Sequence, residues 1–272
     1  MAKIHPLACV HPNAKLAETV EVGPYAYIEE FVEIGENTRI LPHATIFNYV
    51  KIGKDCNIFP GAVVGAIPQD LKFDGEITYV EIGDRVNIRE CATINRGTKA
   101  SGKGLTKIGN DVLLMSYSHV AHDCTVGNHC ILVSYVGIAG ETDVDDWAIL
   151  GGGTVAHQFS KIGKHAMVGG GSKIGKDVPP YVLCGRDPLT YAGINLVGLR
   201  RRGFSNDQIR NIKDIYDVIY NSSLNFSDAV ARIQEGFPDS PEKNEIVNFI
   251  VSSKRGIIRG PQNASSKDDG VE

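Results

Sequence analysis

The chain has 272 residues, 42% of them hydrophobic and 22% charged, which is enough for one large domain or two modest ones with a sizeable core. A net charge of −4 at pH 7 gives no overall basic field, which argues against nucleic acid as a partner and leaves an anionic membrane only a local patch to use. No stretch approaches the roughly 18 apolar residues of a membrane span, and the opening Met1-Ala2-Lys3-Ile4-His5-Pro6 lacks the apolar run of a signal peptide. A cytoplasmic protein without stable membrane insertion is expected. The six cysteines form no CxxC pair, so reduced thiols acting as small apolar side chains are expected, with neither a disulfide nor a zinc knuckle.

A six-residue period begins at Ile4. Stepping by six gives Ile4, Val10, Leu16, Val22, Ile28, Ile34, Ile40, Ile46, Ile52, Ile58 and Val64, all branched aliphatics. The step resumes at Ile82, Ile88 and Ile94, and again from Ile108 to Ile174, making 26 hexads in all. Gly often follows the aliphatic, as at Gly23, Gly35, Gly53, Gly83, Gly109, Gly127, Gly163 and Gly175, and the fifth position is small, as at Ala14, Ala26, Ala44, Ala62 and Ser172. The pattern predicts one short strand per hexad with its aliphatic inward, Gly where the backbone bends tightly, and a small residue in a narrow interior. Three strands then close one triangular coil of about 18 residues, and successive coils pair as parallel strands about 4.8 Å apart.

The repeat is broken twice, at 66–79 and 98–106, and insertions in solenoids tend to serve a binding face. The register stops at Pro179-Pro180. From about Leu196 the spacing turns helical, with Ile209, Ile212, Ile215, Tyr216 and Ile219 on one stripe. Two further helices are predicted near Phe226 to Glu235 and Pro241 to Ser253, with Ser205 and Ser227 as caps. The stretch from 260 to 272 is polar and expected to be disordered.

Residues 18 apart stack on one edge of adjacent coils. His122 is the third residue of its hexad, and adding 18 gives Gly140 and then Gln158. A base that is neutral near pH 7, beside a glycine whose N–H can approach a substrate oxygen, is what acyl transfer requires. A lone histidine on such a rim is more often a solvated or structural residue, so the column alone does not assign a function.

The segments Ser118-His119-Val120-Ala121-His122-Asp123-Cys124 and Gly151-Gly152-Gly153-Thr154-Val155-Ala156-His157-Gln158-Phe159 carry a family resemblance, as do Asn95-Arg96-Gly97-Thr98, Gln69-Asp70-Leu71-Lys72 and the run from Asn195 to Gly203. Together with the hexad pattern, they resemble the UDP-N-acetylglucosamine O-acyltransferases of lipid A synthesis, within the hexapeptide-repeat acyltransferases. The likeness runs over about residues 4 to 259. It implies a mainly β fold, a left-handed parallel β-helix over 1–190 followed by a small α-helical C-terminal domain over 191–259, assembled as a homotrimer. Handedness comes from the resemblance, since the repeat carries none and the general crossover rule points the other way.

The resemblance further implies transfer of a (R)-3-hydroxyacyl group from acyl carrier protein to the 3-hydroxyl of UDP-N-acetylglucosamine, with no cofactor and no metal. His122 would be the general base, Asp123 would orient its imidazole, and the Gly140 N–H would form the oxyanion hole. Gln69, Asp70, Lys72, His119, His157 and Gln158 would line the sugar and acyl groups. Asn195, Arg201 and Arg202 would hold the uridine and its phosphates, and Gly170 would bound the acyl pocket. The sequence departs from the family pattern at Glu141 and Asn95, where relatives often carry histidine, and at Val197, where they carry glutamate. Glu141 would favour the imidazolium if it approached His122.

Arg200 to Arg202 with Lys254, Arg255 and Arg259 give the C-terminal part a basic character that suits an acidic carrier protein. A different class, zinc hydratases resembling the γ-class carbonic anhydrases, is suggested only by His119-x-x-His122 and needs a third ligand such as His157. A non-catalytic solenoid scaffold fits the repeat but leaves the polar column unexplained.

Overall fold

The computed structural model describes residues 1–260; the tail read as disordered therefore lies, from residue 261, outside the described residues. Among the described residues, twenty-six strands from Lys3–Ile4 to Lys173–Ile174, most of two residues, follow the hexad step. Each coil gives one strand to each of three sheets, with eleven, nine and eight strands. Strands on the hexad step pair parallel, and where no loop intervenes the partners are one coil apart, as in Val22 with Ile40, Val120 with Ile138 and Val126 with Val144. The three sheets are the sides of a left-handed parallel β-helix.

The inward aliphatics from Val22 to Ile174 are buried, and the fifth-position residues Ala26, Ala44 and Ala62 fill the interior between them. Cys56, Cys124 and Cys130 occupy the same inward position. Burial pushes the Cys124 and Cys130 thiols up to about 12, so they pack as small apolar groups.

The glycines have a different job from the one the sequence suggested. The left-handed residue of each turn is the fourth of the hexad and usually not glycine: Asn37, Asp55, Asp123, Glu141 and Trp147 all have φ between 57° and 65°. Their N–H groups reach the previous coil, as in Glu141 N to His122 O at 3.0 Å and Trp147 N to Asn128 O at 2.8 Å, which offsets a local cost of about 1–2 kcal/mol per residue. Gly35 and most of its equivalents are needed because the coils approach too closely there for a Cβ. A Cβ on Gly35 would lie 2.8 Å from the Gly53 carbonyl carbon.

The solenoid does not stop at Pro179-Pro180. An antiparallel hairpin, Val182–Gly185 with Thr190–Ile194, extends the eleven-stranded sheet. Its short, unalternating strands gave the sequence reading no period to detect. Four helices follow: α1 (Leu196–Arg201), α2 (Asn206–Asn221), α3 (Phe226–Gly236) and α4 (Pro241–Ser252). Helix α2 buries the predicted stripe and starts at a capping box between Ser205 and Gln208. Ser227 lies inside α3 instead of capping it. Asn225 is the cap and accepts from Asp228 N, an equally favoured cap chemistry two residues earlier. No helix among the described residues is long and apolar enough to cross a membrane.

The outward rows of the sheets differ sharply. The eight-stranded sheet presents Lys15, Glu33, Lys51, Glu81, Lys107, Thr125, Asp143 and Lys161 in register. The eleven-stranded sheet is polar in its early coils and then presents Leu113, Ile131, Ile149, Met167 and Leu183 in one outward row. Replacing Gly35 with Val should destabilise the fold by about 1–3 kcal/mol, as expected for overpacking against backbone. Gly175→Ala, at the same hexad position but with open space around the added Cβ, should stay within about 0.5 kcal/mol of the parent. Urea unfolding of both variants is the check, and equal midpoints would contradict the close-approach account.

Candidate active site

The edge between the nine- and eight-stranded sheets collects most of the sequence-predicted residues. The first loop, 67–78, and the second, 96–104, both leave the nine-stranded sheet and return to the eight-stranded one. The turns that carry His122, Gly140 and Gln158 follow on the same edge in the next three coils, because His119, Gly137 and Val155 are in direct register.

His122 is 7% exposed and Asp123 is fully buried. The imidazole Nδ1 donates to Asp123 Oδ2 at 2.8 Å. The Asp123 carboxylate also accepts from the Thr98 backbone N–H at 3.0 Å and from its hydroxyl at 2.8 Å. Its own N–H donates to Thr106 Oγ1 at 2.8 Å, and Lys103 Nζ donates to its carbonyl while pairing with Asp143. With Nδ1 committed as a donor to a carboxylate, the lone pair sits on Nε2, the nitrogen that faces the first loop at Asp70. Asp70 Oδ2 lies 3.6 Å from Nε2, too long for a direct hydrogen bond.

Gly140 is where the imidazole needs room: a Cβ there would lie 2.4 Å from His122 Nε2 and Cε1. The Gly140 carbonyl accepts from Phe159 N, and its N–H makes no hydrogen bond among the described residues. Gln158 and His157 are exposed, the latter with Nδ1 on the Gln158 carbonyl at 3.0 Å. His119 is turned to Thr93 Oγ1 at 2.7 Å and held below its ordinary range by burial. His119 and His122 therefore belong to different hydrogen-bond systems and do not converge on one point.

Asp70 is set by its own loop. Its Oδ1 accepts from Lys72 N and its carbonyl from Phe73 N, leaving Oδ2 toward His122, while Gln69 and Lys72 are exposed. Asn95, the departure from a family histidine, donates to the carbonyl of Ile67 at 3.2 Å. Arg96 bonds Asn48 and stands against the rings of Tyr49 and Phe73. Both residues thus fasten the loop that carries Asp70. Glu141 makes no ion pair with His122 among the described residues. The support from Thr98, Lys103 and Arg96 was missed in the sequence; the signal was only that both insertions fall one and two coils before His122.

Within one chain, Asn195, Arg201 and Arg202 are not brought to His122. Asn195 caps α1, accepting from Gly198 N and donating to the His165 carbonyl at 2.9 Å. His165 turns from the eight- to the eleven-stranded sheet, a different edge. Arg202 donates to the Trp147 carbonyl and stacks on its ring, whereas Arg201 and Val197 are exposed. Gly170 lies on the third edge, in the turn after Met167–Val168.

The family model described as Udp N-acetylglucosamine O-acyltransferase, domain 2, matches residues 177–258, and the bacterial transferase hexapeptide model matches 13–48 and 105–140. An acyl-[acyl-carrier-protein]–UDP-N-acetylglucosamine O-acyltransferase of Paracidovorax citrulli is 51% identical, the alignment covering 95% of this chain and 100% of the relative. One from Janthinobacterium sp. is 46% identical with the same coverage. The chain belongs to the UDP-N-acetylglucosamine O-acyltransferase family. A solved UDP-N-acetylglucosamine acyltransferase from Bacteroides fragilis superposes with a TM-score of 0.92 at 51% identity, covering 94% of this chain and 99% of that one.

His165 offers a test of the second edge. Burial first, then the Arg202 and Lys164 cations, hold its imidazole down at about 4 from an ordinary 6.5. The unfolded chain takes up a proton below about 6.5 that the folded chain refuses until about 4, so this contribution to stability is complete above pH 6.5 and lost as pH falls toward 4. His165→Phe keeps the ring between Trp147 and Tyr181 and removes the titration. Its melting temperature relative to the parent should therefore rise as pH falls through that window; a constant difference would refute the account.

Proposed function

We propose that the chain transfers a (R)-3-hydroxyacyl group from acyl carrier protein to the 3-hydroxyl of UDP-N-acetylglucosamine, the first step of lipid A biosynthesis. The observation that carries this reading is the buried His122–Asp123 pair lying over Gly140, with one imidazole nitrogen fixed and the other free. His122 Nε2 takes the proton of the sugar hydroxyl as its oxygen attacks the thioester carbonyl. The tetrahedral oxyanion is received by the Gly140 N–H. Collapse breaks the C–S bond, and the proton passes from the imidazolium to the departing thiolate, leaving an ester and a free carrier thiol. Asp123 favours the imidazolium and keeps Nε2 aimed at the reacting oxygen.

Asp70 Oδ2, facing Nε2 at 3.6 Å, is suited to accept from the sugar while His122 removes the 3-hydroxyl proton. Gln69, Lys72, His119, His157 and Gln158, on the same edge or the strand leading to it, would line the sugar and acyl groups. Asn195, Arg201 and Arg202 would hold the nucleotide, and Gly170 would bound the acyl chain. Because these last four lie on other edges of the prism, we read the complete site as formed between copies in a homotrimer. The outward apolar row Leu113, Ile131, Ile149, Met167 and Leu183 supports that assembly, since a solvated sheet face does not favour five such residues in register. The 1–190 and 191–259 units would both contribute to each site.

The direct test is incubation with UDP-N-acetylglucosamine and 3-hydroxyacyl carrier proteins of several lengths, with and without chelator, following products by mass. An acylated nucleotide sugar formed in both conditions is expected, and no product from any donor would overturn the reaction. His122→Ala should lower turnover about 10²-fold or more with an unchanged melting curve; near-parent turnover would remove His122 as the base. Ile149→Asp, placing a charge in the apolar row, should sediment as a smaller species than the parent. An unchanged sedimentation coefficient would count against this interface.

A further inference from the structure

Three consecutive arginines, Arg200, Arg201 and Arg202, are alike in the sequence, but the fold treats them differently. Arg200 and Arg201 are exposed, whereas Arg202 is half-buried on the edge between the eight- and eleven-stranded sheets. Its Nη2 donates to the Trp147 carbonyl at 3.1 Å, and its guanidinium carbon lies 5.1 Å from the centre of the Trp147 ring. Its Nη1 donates to His165 Nδ1 at 3.3 Å. Arg202 forms no ion pair among the described residues. The Glu245 carboxylate is taken by Lys164, and Asp146 Oδ1 accepts from the Asn128 backbone. A cation drawn out of water without a carboxylate is costly, and burial lowers the Arg202 guanidinium from its ordinary value. A charge left in that state suits an anion that arrives from outside.

His165 holds both ends of α1. Asn195 is the N-terminal cap of that helix and Arg202 its C-terminal cap. The His165 carbonyl accepts from Asn195 Nδ2 at 2.9 Å, and its ring accepts from Arg202. The ring is itself fixed, buried between Trp147 and Tyr181 with Phe204 edge-on at 5.1 Å. A guanidinium only donates, so Nδ1 carries the lone pair and the imidazole is neutral. Burial, with the Arg202 and Lys164 cations, keeps it neutral down to about 4. A neutral acceptor aims the guanidinium and leaves its charge intact, whereas a carboxylate in the same place would cancel it.

We infer that His165 is a positioning residue for the sugar nucleotide: it grips both caps of α1 and presents the Arg202 charge, uncancelled, to the diphosphate. The inference rests on the nucleotide role proposed above for Asn195, Arg201 and Arg202. Arg202 Nε makes no hydrogen bond among the described residues, so part of the guanidinium fork stays open to phosphate oxygens while the rest is fastened to the edge. The bracket also fixes where α1 begins and ends, and with it the exposed Arg201 between the caps. His165 acts on binding alone, because it lies on a different edge from His122 and shares no hydrogen bond with the His122–Asp123 pair.

The test compares three variants of the full chain by their Kd for UDP, measured calorimetrically, and by steady-state kinetics. His165→Asn puts an amide oxygen where Nδ1 stands and tolerates the left-handed backbone there, φ 60°. Its Kd for UDP and its KM for UDP-N-acetylglucosamine should stay within about threefold of the parent. His165→Asp has nearly the same shape but pairs with Arg202, and both constants should rise about tenfold or more. His165→Phe keeps the ring stack and removes the acceptor, and both should rise about tenfold. In all three, kcat and the KM for acyl carrier protein should stay within about twofold of the parent, the pattern of lost binding and not of lost chemistry. Melting curves control for folding. An Asn variant no better than the Asp variant would overturn the inference, because a purely structural side chain would not sense that difference in charge. Unchanged constants in His165→Phe would overturn it as well, as would a parent with no affinity for UDP. Should the parent bind UDP and form no acylated sugar, the reaction proposed above fails, and the Kd series still judges His165.

Discussion

The parallel ladder between coils is the constraint from which everything else follows. Each two-residue strand is too short to stand alone, and its hydrogen bonds run to the coils before and after it. Register is enforced from inside, because a slip of one residue would turn Val120, Ile138 and Ala156 out of a dry interior and put His119, Gly137 and Val155 into it. Side chains one coil apart are thereby held at a fixed spacing on the surface. The solenoid acts as a ruler on which polar groups are placed by sequence number alone.

Onto that ruler the two loops add what the repeat cannot provide. A hexad turn has no depth, so an imidazole on it would be solvated and free to rotate. The second loop closes over Asp123 with the N–H and hydroxyl of Thr98, and the first brings Asp70 across from Nε2. Buried carboxylates are tolerated only when such donors surround them. The tight fit of Gly97 against the Leu105 backbone and the Asp123 carboxylate shows how closely the second loop is packed at this point. Asp123 and Thr98 fix the imidazole from behind, the arrangement that the general-base role proposed for His122 calls for.

The three faces divide the remaining tasks by their outward rows. The alternating charges of the eight-stranded sheet keep that side wet, whereas the apolar row of the eleven-stranded sheet asks for a partner. Residues that the family resemblance would gather into one pocket are spread over three edges of a single chain. A prism cannot bring its own edges together, so a shared pocket requires a neighbour's edge, and the apolar row is where a neighbour would sit.

The sequence by itself determined the solenoid, because a six-residue period of branched aliphatics admits one way to bury them, and period arithmetic then placed His122, Gly140 and Gln158 in a line. It also marked α2 and its capping box through their own short-range signals. It did not determine the use of its glycines, where the observed need is room between coils and not a left-handed bend, nor the hairpin after Pro180, whose strands carry no period. It could not tell that Asn95, Arg96, Thr98 and Lys103 brace the site, that Glu141 stays off His122, or that Asn195 and Arg202 meet at His165. Those contacts join residues by loop and hairpin conformations of irregular backbone, for which sequence separation gives no distance. Only the folded chain decides them.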